Sequence, residues 1–137
     1  MKKLNVLLID DDEDDRDVFS SAIALLRAQP NCMVLGNAET ALVQLEQDTI
    51  APDVIFLDLN MPRMDGREFY MQVKARHKLK NIPIVLFSTS SYLESVRSAE
   101  LNGAPFIAKP ENFSELTLLL ENYFDSNFPS VSGVACA

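Results

Sequence analysis

Five short apolar runs recur along this chain, and they do not alternate with polar residues. Leu4 to Ile9, Met33 to Leu35, Val54-Ile55-Phe56-Leu57, Ile84-Val85-Leu86-Phe87 and Phe106-Ile107-Ala108 are each of strand length. A strand with one wet face alternates apolar and polar residues. A strand that is apolar throughout is covered on both faces, which is the habit of parallel sheets. Segments of helical spacing separate the runs: Val18, Phe19, Ala22, Ile23 and Leu26; Ala41, Leu42 and Leu45; Phe69, Val73 and Ala75; Leu93, Val96 and Leu101; and Phe113, Leu116, Leu120, Tyr123 and Phe124. Strand-helix alternation implies parallel pairing through right-handed crossovers. The expected fold is α/β, a doubly wound five-stranded parallel sheet with helices on both faces.

Punctuation supports these bounds. Pro30 is expected to end the first helix, Pro52 and Pro83 precede strands, and Asn102-Gly103 is a helix stop. With 137 residues, 47 % of them hydrophobic, the chain suffices for one domain with one well-buried core. Residues 1–127 are read as that domain and 128–137, with Pro129, Ser130, Ser132 and Gly133, as a short tail. The formal net charge of -8 argues against nucleic-acid binding, where Lys and Arg must neutralise phosphates. It argues equally against a basic membrane-surface helix. No apolar run approaches the roughly 20 residues a membrane span needs. The start at Met1-Lys2-Lys3 lacks the pattern of a signal peptide. Cys32 and Cys136 show no disulfide or metal spacing, which suits a cytoplasmic location.

In an open parallel sheet, ligands bind beyond the carboxyl ends of the strands, where strand order reverses. Asp10, Asp11 and Asp12 follow the first run, Asp58, Leu59 and Asn60 the third, Ser88 and Thr89 the fourth, and Lys109 and Pro110 the fifth. Acids, a hydroxyl and a lysine from four segments thus meet at one edge. Clustered carboxylates repel and raise one another's pKa, and a hard divalent cation relieves that repulsion. Mg²⁺ takes oxygen ligands and keeps several waters. A carboxylate beside it can act as a nucleophile toward phosphorus, while Lys109 neutralises charge and Ser88 hydrogen-bonds a phosphoryl oxygen. Taken singly these signals are weak: Asp12 to Asp15 are read as acids that cap and solvate the first helix, and a lone lysine is usually a surface residue.

Four segments resemble the response-regulator receiver family of two-component signalling, over Leu4 to Phe124. They are Val6 to Arg16, an apolar strand ending in an acidic pair; Asp58-Leu59-Asn60-Met61-Pro62-Arg63-Met64-Asp65-Gly66; Ile82 to Thr89; and Gly103 to Pro110. The resemblance implies a flavodoxin-like (βα)5 fold of stand-alone, single-domain type, with Asp58 as phosphoacceptor. It also implies that Asp10, Asp11, Asp58 and the Asn60 backbone carbonyl hold Mg²⁺. Ser88 becomes the switch hydroxyl, Lys109 the partner of the phosphoryl group, and Phe106 the aromatic that turns inward on activation. A cis Lys109-Pro110 peptide is implied as well. The implied partners are a sensor histidine kinase or phosphotransfer protein as phosphodonor and a downstream protein, contacted through Ser90 to Gly103 and the last helix. No nucleic acid or membrane is implied, and the role is signalling, not enzymatic beyond the chain's own phosphoryl transfer and dephosphorylation. Two positions depart from the family pattern: Ser88 where threonine is common, and Phe106 where tyrosine is common.

Two other readings stay open at this point. Asp10-Asp11-Asp12 after an apolar strand also fits the Asp-x-Asp nucleophile of haloacid-dehalogenase-like phosphatases, with Asp10 phosphorylated. Against it, Asp14 stands where that family has threonine or valine, and Asp58 to Gly66 goes unexplained. A phosphorylation-independent interaction module of the same fold is the other reading. The lone His77, among Lys74, Arg76, Lys78 and Lys80, is read as a solvated residue rather than a phosphohistidine.

Overall fold

A computed structural model describes residues 3–89 and 104–129. The elements are β1 (Asn5–Ile9), α1 (Glu13–Ala24), β2 (Asn31–Leu35), α2 (Ala38–Glu46), β3 (Val54–Leu57), α3 (Gly66–Ala75), β4 (Ile84–Ser88), β5 (Phe106–Ala108) and α4 (Phe113–Asn127). The helical pattern at Leu93 to Leu101, the surface from Ser90 to Gly103, the tail beyond Pro129 and Cys136 lie outside the described residues.

All five strands pair in parallel, in the order β2-β1-β3-β4-β5. Order therefore reverses between β1 and β3, and a crevice opens beyond their carboxyl ends. The expected doubly wound sheet is observed. Successive β1 residues point to opposite faces, as a pleated strand requires. Leu7 and Ile9 enter one core layer with Ala41, Leu45, Phe69 and Val73, beneath α2 and α3. Val6 and Leu8 enter the other with Phe19, Ile23, Leu120 and Phe124, beneath α1 and α4. Phe56 anchors that second layer, with ring centroids 5.2 Å from Phe19 and 6.1 Å from Phe124. Such tilted pairs add to the area that the rings bury.

Three helix details differ from the sequence reading. α1 stops at Ala24 instead of running to Pro30. Leu26 nevertheless stays buried, because its N–H donates to the Ile23 carbonyl in a tightened final turn. Val18 and Phe113, counted into apolar stripes by spacing, face outward and are exposed. Both sit at the margin of a stripe, where an i, i+3, i+4 pattern does not resolve facing. α4 instead buries Leu116, Leu120 and Phe124, and Phe128 beyond it packs on Tyr123 and Phe124 at 6.3 and 5.9 Å.

Every helix among the described residues begins on an Asx cap. Asp12, Asn37, Asp65 and Asn112 each accept a backbone N–H three residues on. The capping reading thus holds for Asp12. Among the described residues no peptide bond is cis, so the implied cis Lys109-Pro110 bond is corrected to trans. The isomers of an X-Pro bond differ by only about 0.5–1 kcal/mol, and nothing local dictates the choice.

Candidate functional site

The first carboxylate arrives as β1 ends. Asp10 is fully buried, its N–H paired to the Leu35 carbonyl at 3.0 Å. Its Oδ1 accepts the Asp12 N–H at 3.0 Å, and its carbonyl accepts from Arg16 Nη1 at 2.9 Å. Asp58 leaves the adjacent β3, its N–H donating to the Ile9 carbonyl at 2.9 Å. It is also buried. The switch in strand order is what sets these two acids side by side. Asp11, which is exposed, completes a set whose carboxylate oxygens lie within 4.8 Å of one another.

Ser88 ends β4 and is buried. Its hydroxyl donates to Asp58 Oδ1 at 2.5 Å and accepts the Leu59 N–H at 3.0 Å. Asn60 N–H donates to the same Asp58 oxygen at 3.2 Å. Lys109 follows β5, its N–H paired to the Ser88 carbonyl at 2.8 Å. The Lys109 ammonium lies 2.7 Å from Asp10 Oδ2, 2.8 Å from Asp15 Oδ2 and 3.5 Å from Asp58 Oδ2. A cavity of about 400 Å³ opens over the group, lined by Asp11, Asp12, Asp15, Asp58, Asn60, Ser88, Thr89 and Lys109.

The site residues predicted from sequence therefore converge, with one exception. Phe106 lies on β5 opposite Leu86, two residues before Ser88 in register, and is nearly half exposed. Two residues were missed. Asp15 was read as a helix-capping acid, but it reaches across to Lys109. An acid in a first helical turn is favoured there in any case, so no local signal marked it. Gly66 was seen only as part of a loop. A Cβ there would lie 2.5 Å from the Asp58 carbonyl oxygen and 2.5 Å from Leu59 Cα. Only glycine lets α3 start against the backbone that carries Asp58.

Burial raises the Asp10 carboxyl from 3.8 to about 6, against the pull of its Lys109 hydrogen bond. Burial alone would lower Lys109, but hydrogen bonds to Asp10 and Asp15 outweigh it and raise the ammonium above its usual range. The asymmetry is physical: Lys109 faces several carboxylates, whereas Asp10 is sealed from water and shares its one cation.

The carboxylates fit a hard cation. Mg²⁺–oxygen distances of about 2.0–2.1 Å put two ligands of one ion at most about 4.2 Å apart, a spacing close to that of three oxygens lying within 4.8 Å of one another. Exposed Asp11 leaves one side open to water.

Residues 6–121 match the family model described as the response regulator receiver domain. The chain belongs to this family. It is 36% identical over 129 residues to a protein-glutamate methylesterase/protein-glutamine glutaminase of Nitrosomonas europaea, covering 91% of this chain and 34% of the relative. The chain spans about a quarter to a third of the length of several curated relatives it matches. Among solved structures, the phosphorylated cyanobacterial phytochrome response regulator RcpA superposes with a TM-score of 0.79 at 28% identity, over 90% of this chain and 93% of that one. The Mn²⁺-bound response regulator Rcp1 gives 0.75 at 26%, over 89% and 92%. The receiver is a phosphoacceptor module of two-component signalling, and the dehalogenase-like reading is set aside. The acidic cluster, beside the likeness to a response regulator solved with Mn²⁺, supports divalent-metal binding.

Proposed function

We propose that Asp58 is the phosphoacceptor, that Mg²⁺ is the working metal, and that phosphorylation switches a protein-binding surface. The observation that carries this reading is how Asp58 is surrounded. One oxygen accepts from Ser88 and Asn60, the other faces Lys109, and Asp10 and Asp11 stand at metal-ligand spacing beside it. Asp10 is spoken for by Lys109 and the Asp12 N–H and is sealed from solvent, so it is the poorer nucleophile.

Asp10, Asp11, Asp58 and the Asn60 carbonyl would hold the ion, which when bound supplies positive charge to the transferring phosphoryl group. An Asp58 oxygen attacks phosphorus in line. The new P–O bond forms as the bond to the donor's leaving group, a histidine imidazole or an acyl oxygen, breaks and keeps its electron pair. Lys109 and Ser88 then meet the added charge. Ser88 is already bonded to Asp58, so moving onto a phosphoryl oxygen draws it away from its present seat. Phe106, on the neighbouring strand, is placed to fill space vacated there, and packing alone couples the two because phenylalanine has no hydroxyl.

The phosphodonor is read as a sensor histidine kinase or phosphotransfer protein, and the output as a protein contact. The role is signalling without substrate turnover, in the cytoplasm. Among the described residues no helix is long and apolar enough to cross a membrane. Mass spectrometry after treatment with acetyl phosphate and Mg²⁺ tests the reading. Wild type should gain one phosphoryl group, whereas Asp58→Asn and EDTA-treated protein should gain none. A label that persists in Asp58→Asn and disappears in Asp10→Asn overturns it.

A further inference from the structure

The Lys109 ammonium has three protons to donate. Its two short bonds run to Asp10 at 2.7 Å and Asp15 at 2.8 Å, while Asp58 stands off at 3.5 Å. The lysine is thus committed elsewhere than to the group it is expected to serve. A metal drawn onto Asp10 would weaken one commitment, but Asp15 is not among the carboxylates grouped at metal spacing. Asp15 is also held in place. Its N–H donates to Asp12 Oδ1 at 3.0 Å, and the Arg16 N–H donates to the Asp12 carbonyl at 3.0 Å, fixing the first turn of α1. Its carboxylate is half-exposed and the lysine largely covered, with side-chain exposures of 41% and 15%. The pair is therefore breakable, but it still directs the ammonium.

We propose that Asp15 is a positioning residue that competes with the phosphoryl group for the Lys109 ammonium and so restrains phosphorylation. The proposal rests on the reading of Asp58 as phosphoacceptor. As the phosphoryl group arrives, the ammonium must turn toward Asp58 across the 3.5 Å that separates them, and the Asp15 bond is stretched or lost in the transition state. Without the Asp15 carboxylate the ammonium is free to turn to Asp58 beforehand.

The rate of labelling by acetyl phosphate at saturating Mg²⁺ tests this. Asp15→Asn should label about fivefold faster, the scale of a released, partly exposed ion pair. Asp15→Glu keeps a carboxylate and should stay near the wild-type rate. Asp14→Asn makes the same charge change on an exposed residue of the same turn and should leave the rate unchanged. Mg²⁺ affinity should be the same in Asp15→Asn and Asp14→Asn. A second measurement needs no phosphoryl chemistry: urea denaturation of Asp15→Asn, Lys109→Gln and the double variant should show non-additive stabilities. Equal acceleration by Asp14→Asn, no acceleration by Asp15→Asn, or additive stabilities would overturn the proposal. A label that survives in Asp58→Asn refutes the acceptor assignment instead, and the urea cycle still reports on the ion pair.

Discussion

Replacing Asp10 by asparagine should stabilise the metal-free protein at neutral pH, although it removes a buried ion pair. Asp10 is fully buried, and burial raises its carboxyl from 3.8 to about 6. The folded state therefore holds this proton more tightly than the unfolded chain does. The resulting stability is fully present below 3.8, declines between 3.8 and about 6, and is lost as pH rises through the folded value. Lifting the carboxyl that far corresponds to about 3 kcal/mol at about 1.4 kcal/mol per pH unit. Asparagine keeps the shape without a charge to desolvate; its one carbonyl oxygen replaces two carboxylate oxygens that separately accept the Asp12 N–H and the Lys109 proton, so it forfeits one of those bonds and the gain falls below the full shift. In EDTA, urea denaturation should find Asp10→Asn more stable than wild type at neutral pH by less than about 3 kcal/mol. Wild type should also lose more stability between 3.8 and about 6 than the variant does. Mg²⁺ should close most of that gap at neutral pH. Wild type gains about 2.7 kcal/mol when the ion is at 100 times its dissociation constant, and the variant gains much less. If Asp10→Asn is the less stable protein in EDTA, or both follow the same pH course, burial does not dominate at Asp10 and the reasoning is wrong.

Gly66→Ala places a Cβ against the Asp58 carbonyl and Leu59 Cα. It should cost about 1–3 kcal/mol in urea denaturation and slow labelling of Asp58; an alanine variant of wild-type stability would show that α3 can retreat freely. Ser88→Ala leaves the buried Leu59 N–H without its acceptor and should destabilise by about 1–3 kcal/mol, while Ser88→Thr, which keeps the hydroxyl, should recover most of that in the same assay. Phe106→Tyr should keep the difference in partner affinity between phosphorylated and unphosphorylated protein, and Phe106→Ala should lose it with labelling nearly intact. If Phe106→Ala switches as fully as wild type, the ring is only a surface aromatic.

Much of the architecture was legible because its causes are local. Runs such as Val54 to Leu57 are buried at every position, and that full burial is written as an unbroken apolar string. Caps are equally local, so Asp12 could be assigned from its own neighbourhood. The site was legible one step further, because ligands gather where parallel strands end. Asp10, Asp58, Ser88 and Lys109 each directly follow or close a strand.

Pairing across the fold was not legible. Lys109 bonds Asp10 and Asp15 across 99 and 94 residues of chain, and no periodicity extends over that distance. Only the order β2-β1-β3-β4-β5 sets Asp58 beside Asp10. Only the seat of α3 against the Asp58 loop makes Gly66 obligatory. Whether Phe106 lies in or out likewise depends on neighbours that a three-residue strand does not specify. Composition, strand class and the chemical inventory of the site are properties of residues and their near neighbours, so the sequence alone determined them. Which oxygen each hydroxyl and ammonium serves, and how far burial lifts Asp10, depend on distances of a few ångströms between segments remote in the chain, and only the tertiary structure decided those.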